Sequence, residues 1–257
     1  MTNSIFSGKN IFVKMLILFA WLAVWQAFYS IIQNEILIPA PVDVLTRLGE
    51  LLFIRSFWVS IFFTISRVFI GVFLAVAAGV VLGIASGLSK LFYDMLSPMV
   101  VAIKSTPIMS FIIVALVWFG SNNVPIFICF LIAFPIVWTN IQEGIQSVDK
   151  KLLEMATLYR VPKLKILMNV YLPEIYPFFI SGFLTIIGLG WKATVTAEVL
   201  SHPMHALGSR LYDARIAINS IDLFALTLSI IGISLLIELI IIRFITNPQK
   251  GKFLSVS

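Results

Sequence analysis

Residues 105–142 read STPIMSFIIVALVWFGSNNVPIFICFLIAFPIVWTNIQ, a run without a single charged residue. It is too long for one membrane-crossing helix, which needs about 20 residues, and about right for two. The natural break is Phe119-Gly120-Ser121-Asn122-Asn123, a cluster of turn-forming residues. A helix counted only from Ser105 to Phe119 would be about 22 Å long against a hydrocarbon core of about 30 Å. The span must therefore begin before Ser105, which puts Lys104 inside the membrane boundary, with Pro107 kinking or starting the helix.

The same pattern continues outward. An uncharged stretch occupies 15–34, and further apolar runs lie at 68–89, 98–119, 124–141, 174–196 and 223–242. The expected architecture is a single all-α, polytopic membrane domain over 1–257, with about six spans and one long polar segment, 142–172, between spans four and five. Composition agrees. Of the 257 residues 60% are hydrophobic and 12% charged, with mean hydropathy +1.04. Soluble domains carry about 25% charged residues, so the excess apolar surface calls for lipid as solvent. The 20-residue apolar run near the start is too long for the core of a cleavable signal, and is read as a retained first span.

The net charge of +6 then reads as topology rather than as nucleic-acid binding. With six spans and the N-terminus inside, Lys9, Lys14, Lys90, the basic residues of 142–172, Arg243, Lys250 and Lys252 fall on the cytoplasmic side. Arg47, Arg55, Arg67, Arg210 and Arg215 fall outside, an asymmetry that fits the positive-inside rule. Both termini are expected in the cytoplasm of a cell-membrane protein.

Within 68–89, Gly71, Gly79, Gly83 and Gly87, with Ala75, recur every fourth position and make one small face. Such a face lets two helix backbones approach closely, either to slide or simply to pack. In the polar segment, Asp149 is placed to cap a helix over Lys150–Arg160 on which Leu152, Met155, Ala156 and Tyr159 form an apolar stripe. Pro162 suits the first turn of a second helix reaching Leu172, to be ended by Pro173. The elbow so formed either inserts into a groove on another protein or lies on anionic lipid.

This segment resembles the EAA loop of permease subunits of ABC importers. Glu154, Ala156, Val170, Leu172, Pro173 and Pro177 carry the match, while Met155 replaces an Ala and Arg160 stands where a helix-breaking Gly is usual. Arg160 is expected to continue the helix and leave the break to Pro162. Ile38-Pro39-Ala40-Pro41, Ser105-Thr106-Pro107, Trp118-Phe119-Gly120, Phe134-Pro135-Ile136-Val137-Trp138-Thr139-Asn140, Trp191-Lys192-Ala193 and Ala197-Glu198 extend the likeness to the nitrate, sulfonate, taurine and thiamine-precursor branch. The resemblance implies a pore-forming subunit paired with a second permease subunit, ABC ATPase subunits docked on the loop, and an extracytoplasmic binding protein that delivers a small solute. Glu154, Met155, Ala156, Tyr159, Arg160, Pro162, Leu172 and Pro173 would then be the ATPase-coupling residues. ATP would bind the partner, since Gly83–Lys90 has the wrong spacing for a phosphate loop; no cofactor is expected on this chain.

Lys104, Lys192 and Glu198 are the ionisable residues expected nearest the membrane interior. Such groups are costly in lipid and usually face a cavity or a partner. They either line a path for an anionic or zwitterionic solute, or serve structure, with Lys104 snorkelling and Lys192 paired to Glu198. His202 and His205 lack a third ligand, so no metal is expected; no paired carboxylates or nucleophile–base set point to an enzyme. A self-contained secondary transporter or channel is the alternative, disfavoured by the lack of an internal repeat.

Overall fold

The computed structural model describes residues 8–245 and is helical throughout. Its elements are α1 (Gly8–Ile32), α2 (Pro41–Leu51), α3 (Arg55–Leu88), α4 (Lys90–Ser105), α5 (Ile108–Gln146), α6 (Lys150–Leu158), α7 (Lys163–Ile166) with a π turn at Leu167–Tyr171, α8 (Leu172–Ser201), α9 (Leu207–Ile216) and α10 (Ser220–Ile245). Among the described residues five helical segments are long and apolar enough to cross a membrane: Met15–Ile32, Arg55–Leu88, Ile108–Gln146, Lys163–Ser201 and Ser220–Phe244. Large apolar side chains point outward along them, Trp21 at 70% exposure and Phe73 at 71%, as lipid requires. Lys250 and Lys252 lie outside the described residues, as do the side chains of Lys9 and Lys14.

The expected third span is divided. Thr106 (φ −84, ψ 133) is extended because Pro107 excludes the α conformation from the residue before it. Pro107 therefore closes α4 and starts α5. Within α5, Gly120 has φ 66 and ψ 163, a backbone state open essentially only to glycine. The chain reverses there. Phe119 and Phe127 stack with centroids 4.7 Å apart, and Ile112, Ala115, Val124 and Ile128 share one buried cluster with Ala193 and Ala197. In a straight helix Phe119 and Phe127 would be about 12 Å apart along the axis. The predicted turn is thus the corner of a hairpin between arms Ile108–Phe119 and Ser121–Gln146.

The chain divides into two compact units. The larger holds Val59–Ser209 and Gly232–Ser257. Its centre is α3 lying against the second arm of α5. A Cβ built on Gly71 would meet Cys129 at 2.6 Å, one on Gly79 would meet Val137 at 2.7 Å, one on Gly83 Ile141 at 2.8 Å, and one on Gly87 Ile145 at 2.4 Å. The offset in sequence is constant, so the two helices run parallel, with α4 and the first arm of α5 as the return between them. The small face read from sequence is thus a close-packed seam. Antiparallel packing of α8 on the same arm follows from Gly144 against Ile175, Asn140 against Gly182 and Cys129 against Gly190.

The smaller unit holds Met1–Trp58 and Arg210–Ile231. There Arg47 donates to both Asp222 and Glu50, the latter at 2.8 Å, and the two carboxylates raise its already high pKa. Trp25 Nε1 donates to the Pro39 carbonyl (3.2 Å) and its ring packs on Phe224.

Boundaries differ from those read in sequence. The second span starts at Arg55 rather than residue 68, the fifth ends at Ser201 rather than residue 196, and the polar stretch after it contains α9. Replacing Gly79 by Val forces branches into Val137 and should cost about 1–3 kcal/mol. Gly232→Ala, with nothing within 4 Å of its Cβ, should be neutral. Cys129, the single cysteine and buried against Gly71, supplies the readout. Thiol labelling on heating should begin several degrees earlier in Gly79→Val and be unshifted in Gly232→Ala.

Candidate functional site

The elbow over 147–171 is built by local rules. Asp149 caps α6, its carboxylate accepting the Lys151 N–H at 2.9 Å. At the other end Arg160 N–H donates to the Thr157 carbonyl (3.0 Å) and Val161 N–H to that of Ala156 (2.9 Å). This pair of bonds is a Schellman termination, which needs a left-handed residue at the position Arg160 occupies. Arg160 has φ 51. The expectation that Arg160 continues the helix is therefore wrong; it departs from glycine in identity and takes a glycine's conformation.

Pro162 is the N-cap of α7 rather than part of its first turn. Pro173 does not end the second helix either. It sits in the first turn of α8, and the π turn ahead of it, closed by Leu172 N–H on the Leu167 carbonyl, carries the chain through without a break. On α6 the stripe divides. Leu152, Met155 and Tyr159 are exposed, as are Leu158 and Glu154, whereas Ala156 and Leu153 are half-buried. Leu158 at 80% and Tyr159 at 75% exposure make an apolar edge on a nine-residue helix. Leu172 and Pro173 are exposed at the start of α8.

A second constellation ties α3, α8 and the loop 202–206 together. Glu198 is fully buried, with one oxygen 2.9 Å from Arg67 Nη1 and the other accepting from Thr64 Oγ1 (3.0 Å) and Gly208 N–H (3.1 Å). Arg67, 6% exposed, also donates to the carbonyls of Met204 (2.8 Å) and His205 (3.4 Å). Thr64 Oγ1 accepts the Leu207 N–H, and Asn122 Oδ1, at the α5 corner, accepts that of Met204. His202 and His205 both take φ near 50, and the His205 ring stacks on Phe63. These hydrogen bonds hold a loop with two left-handed residues in one shape, and Met204 projects from it at 71% exposure. A Cβ on Gly208 would strike Glu198 at 2.5 Å, which is why a glycine stands there.

Glu198 therefore pairs with Arg67, not with Lys192. Lys192 lies on the exposed face of α8 with Ser181, Thr185 and Thr196. Lys104 is exposed too, and its Nζ donates to Thr139 Oγ1 at 2.8 Å. The structure separates the three residues grouped from sequence: two lysines at the surface and one carboxylate in the interior. Arg67, Thr64 and Asn122 were not anticipated as site residues. The one available signal was that 57–65, upstream of Arg67, is uncharged and mostly apolar, as the stretch downstream of it is.

The sequence matches the Binding-protein-dependent transport system inner membrane component family over residues 75–248. It is 28% identical over 243 residues to the bicarbonate transport system permease protein CmpB of Synechococcus elongatus, covering 90% of this chain and 85% of the relative. The nitrate import permease protein NrtB of Leptolyngbya laminosa is 28% identical over 207 residues, 76% of this chain and 72% of the relative. The putative aliphatic sulfonates transport permease protein SsuC of Bacillus subtilis is 27% identical over 196 residues, 76% and 71%.

Removing one member of a buried ion pair leaves an uncompensated charge, at a cost of about 3–5 kcal/mol. Glu198→Gln should therefore lower the thermal midpoint markedly. Arg67→Met combined with Glu198→Gln should recover part of the loss, because Gln still accepts from Thr64 and Gly208. Additive losses in a double-mutant cycle would exclude coupling between the two side chains. Arg160→Gly should keep the elbow intact and raise stability by roughly 1 kcal/mol, since glycine takes the left-handed state without strain.

Proposed function

Since this chain belongs to the Binding-protein-dependent transport system inner membrane components, we propose that it passes a small oxyanion through the membrane in response to ATP hydrolysis on a docked partner. It is a non-catalytic, multi-pass permease component of an ABC importer that depends on a binding protein. ATP is used on a partner ATPase. The relatives named for bicarbonate, nitrate and aliphatic sulfonates share one substrate chemistry, a compact anion with delocalised charge on oxygen.

The observation that carries the coupling part of the reading is the elbow. A capped helix, stopped by the Schellman turn at Arg160 and showing Leu152, Met155, Leu158 and Tyr159 to solvent, is the object to seat in a groove of an ATPase. In this reading Glu154, Met155, Ala156, Tyr159 and Arg160 make or shape the contact, and Pro162, Leu172 and Pro173 set its mount on α8. A second permease subunit completes the pore. Six crossings, the third made by α4 with the first arm of α5, place both termini and the elbow in the cytoplasm; the parallel run of α3 and the second arm supports this count.

Lys192 supplies the positive charge of the path. It is exposed on a membrane-crossing helix beside hydroxyl residues, and the one carboxylate within reach in sequence, Glu198, is committed to Arg67. Lys104, held by Thr139, sits toward the other end: Asn140, next to Thr139, packs at the level of Gly182, about 15 Å along α8 from Lys192. Glu198 and Arg67 act through the loop 202–206, which they hold in the shape presented to the delivering protein.

Two measurements test this. Glu154→Lys with Tyr159→Ala should cut co-purification of the ATPase at least tenfold at normal membrane insertion; unchanged recovery would remove the elbow from coupling. Lys192→Met should lower uptake of the transported anion on the order of tenfold at full expression, with ATPase recovery intact. Uptake kinetics identical to the parent would exclude Lys192 from the path.

A further inference from the structure

The elbow has a second surface that ATPase docking does not use. One side of it closes over a groove of about 570 Å³ lined by Leu88, Leu153, Leu164, Leu167 and Tyr171, with Thr157 and Lys163 also in the wall. Leu88 is the last residue of α3, a helix long and apolar enough to cross the membrane, so the groove lies where hydrocarbon gives way to headgroups. No lining residue is acidic, and Arg160 and Lys165, flanking Lys163 in sequence, are exposed. An apolar slot with a cation in its wall is complementary to an amphiphile whose polar end is anionic. Free phosphate would gain nothing from five apolar walls, and a neutral lipid nothing from Lys163.

We propose that this groove holds an anionic phospholipid of the inner leaflet, one acyl chain against Leu153, Leu164 and Leu167 and the phosphate on Lys163. The proposal rests on the reading of the elbow as cytoplasmic, where the leaflet is rich in anionic lipid. The lipid and the ATPase then occupy different faces of the same short helix, the lipid bracing α6 from the membrane side while the partner takes Leu152, Met155 and Tyr159. Sequence alone presents protein docking and lipid contact as alternatives for this segment; with Leu152, Met155 and Tyr159 exposed on one side of α6 and Leu153 in the groove wall on another, both hold at once.

Native mass spectrometry tests this on the full chain with its ATPase, exchanged into micelles holding equal phosphatidylglycerol and phosphatidylcholine. One lysine near an anionic headgroup is worth about a fivefold preference, so phosphatidylglycerol should be retained about fivefold over phosphatidylcholine. Lys163→Glu should abolish the preference. Thr157→Trp, which fills the groove from α6, should abolish retention of both lipids, with the thermal midpoint of each variant confirming an intact fold. Equal retention of the two lipids by the parent overturns the proposal, as does a preference that survives both substitutions. So does retention seen only after the ATPase is stripped away, which would give the groove to the partner. Lys165→Cys, probed with a membrane-impermeant maleimide in vesicles of known orientation, separates the premises. Labelling from the outer side alone sinks the cytoplasmic reading of the elbow. Labelling from the inner side without lipid preference sinks the lipid site and leaves that reading standing.

Discussion

An arginine inside α3 and a glutamate near the end of α8, buried together, govern how this chain is arranged. Neither Arg67 nor Glu198 can stay charged in an apolar interior alone; together, with Thr64, the Gly208 N–H and two loop carbonyls, they satisfy each other. The pair lets α3 begin at Arg55 and α8 run to Ser201, because neither charge has to reach water. It also joins a loop to both helices, giving 202–206 a definite shape through backbone contacts rather than through apolar packing.

Beneath that latch the larger unit is held by fit rather than by charge. Lipid gives little drive for one apolar helix to prefer another, so association depends on close approach and dispersion. The glycines of α3 supply that approach, and the β-branched residues of the second arm of α5 (Val137, Ile141 and Ile145) fill the space the missing side chains leave. The corner at Gly120 makes this possible, since only a reversal of the chain there brings the second arm alongside α3 in the same direction.

Function is distributed along the same axis. In the proposed reading one face of the elbow meets the ATPase, another an anionic lipid, and the exposed lysines meet the charge of the solute. Coupling across the membrane then needs a rigid connection from elbow to latch. The path from the π turn through α8 to Glu198 is unbroken helix and provides one: Pro173 falls in the first turn of α8, and the helix continues past Pro177 in its interior.

The residue order alone determined that this is a polytopic helical protein with lipid as solvent, that a turn lies at 119–123, that a small face runs along α3, and that Asp149 starts a short polar helix. Each is a local or periodic property: hydropathy per length, turn chemistry, four-residue spacing, a side chain capping its own backbone. Tertiary structure decided the rest. Arg67 reads as a helix boundary until its partner, 131 residues away, removes the cost of burying it. Arg160 reads as a helix former until the Schellman bonds impose a left-handed backbone on it. Leu152 and Leu153 are adjacent and equally apolar, and only the position of the end of α3 and of the π turn tells which faces solvent and which a groove. Charge burial, backbone strain and the choice of face all depend on what lies opposite, and that is set by the folded chain rather than by the order of its residues.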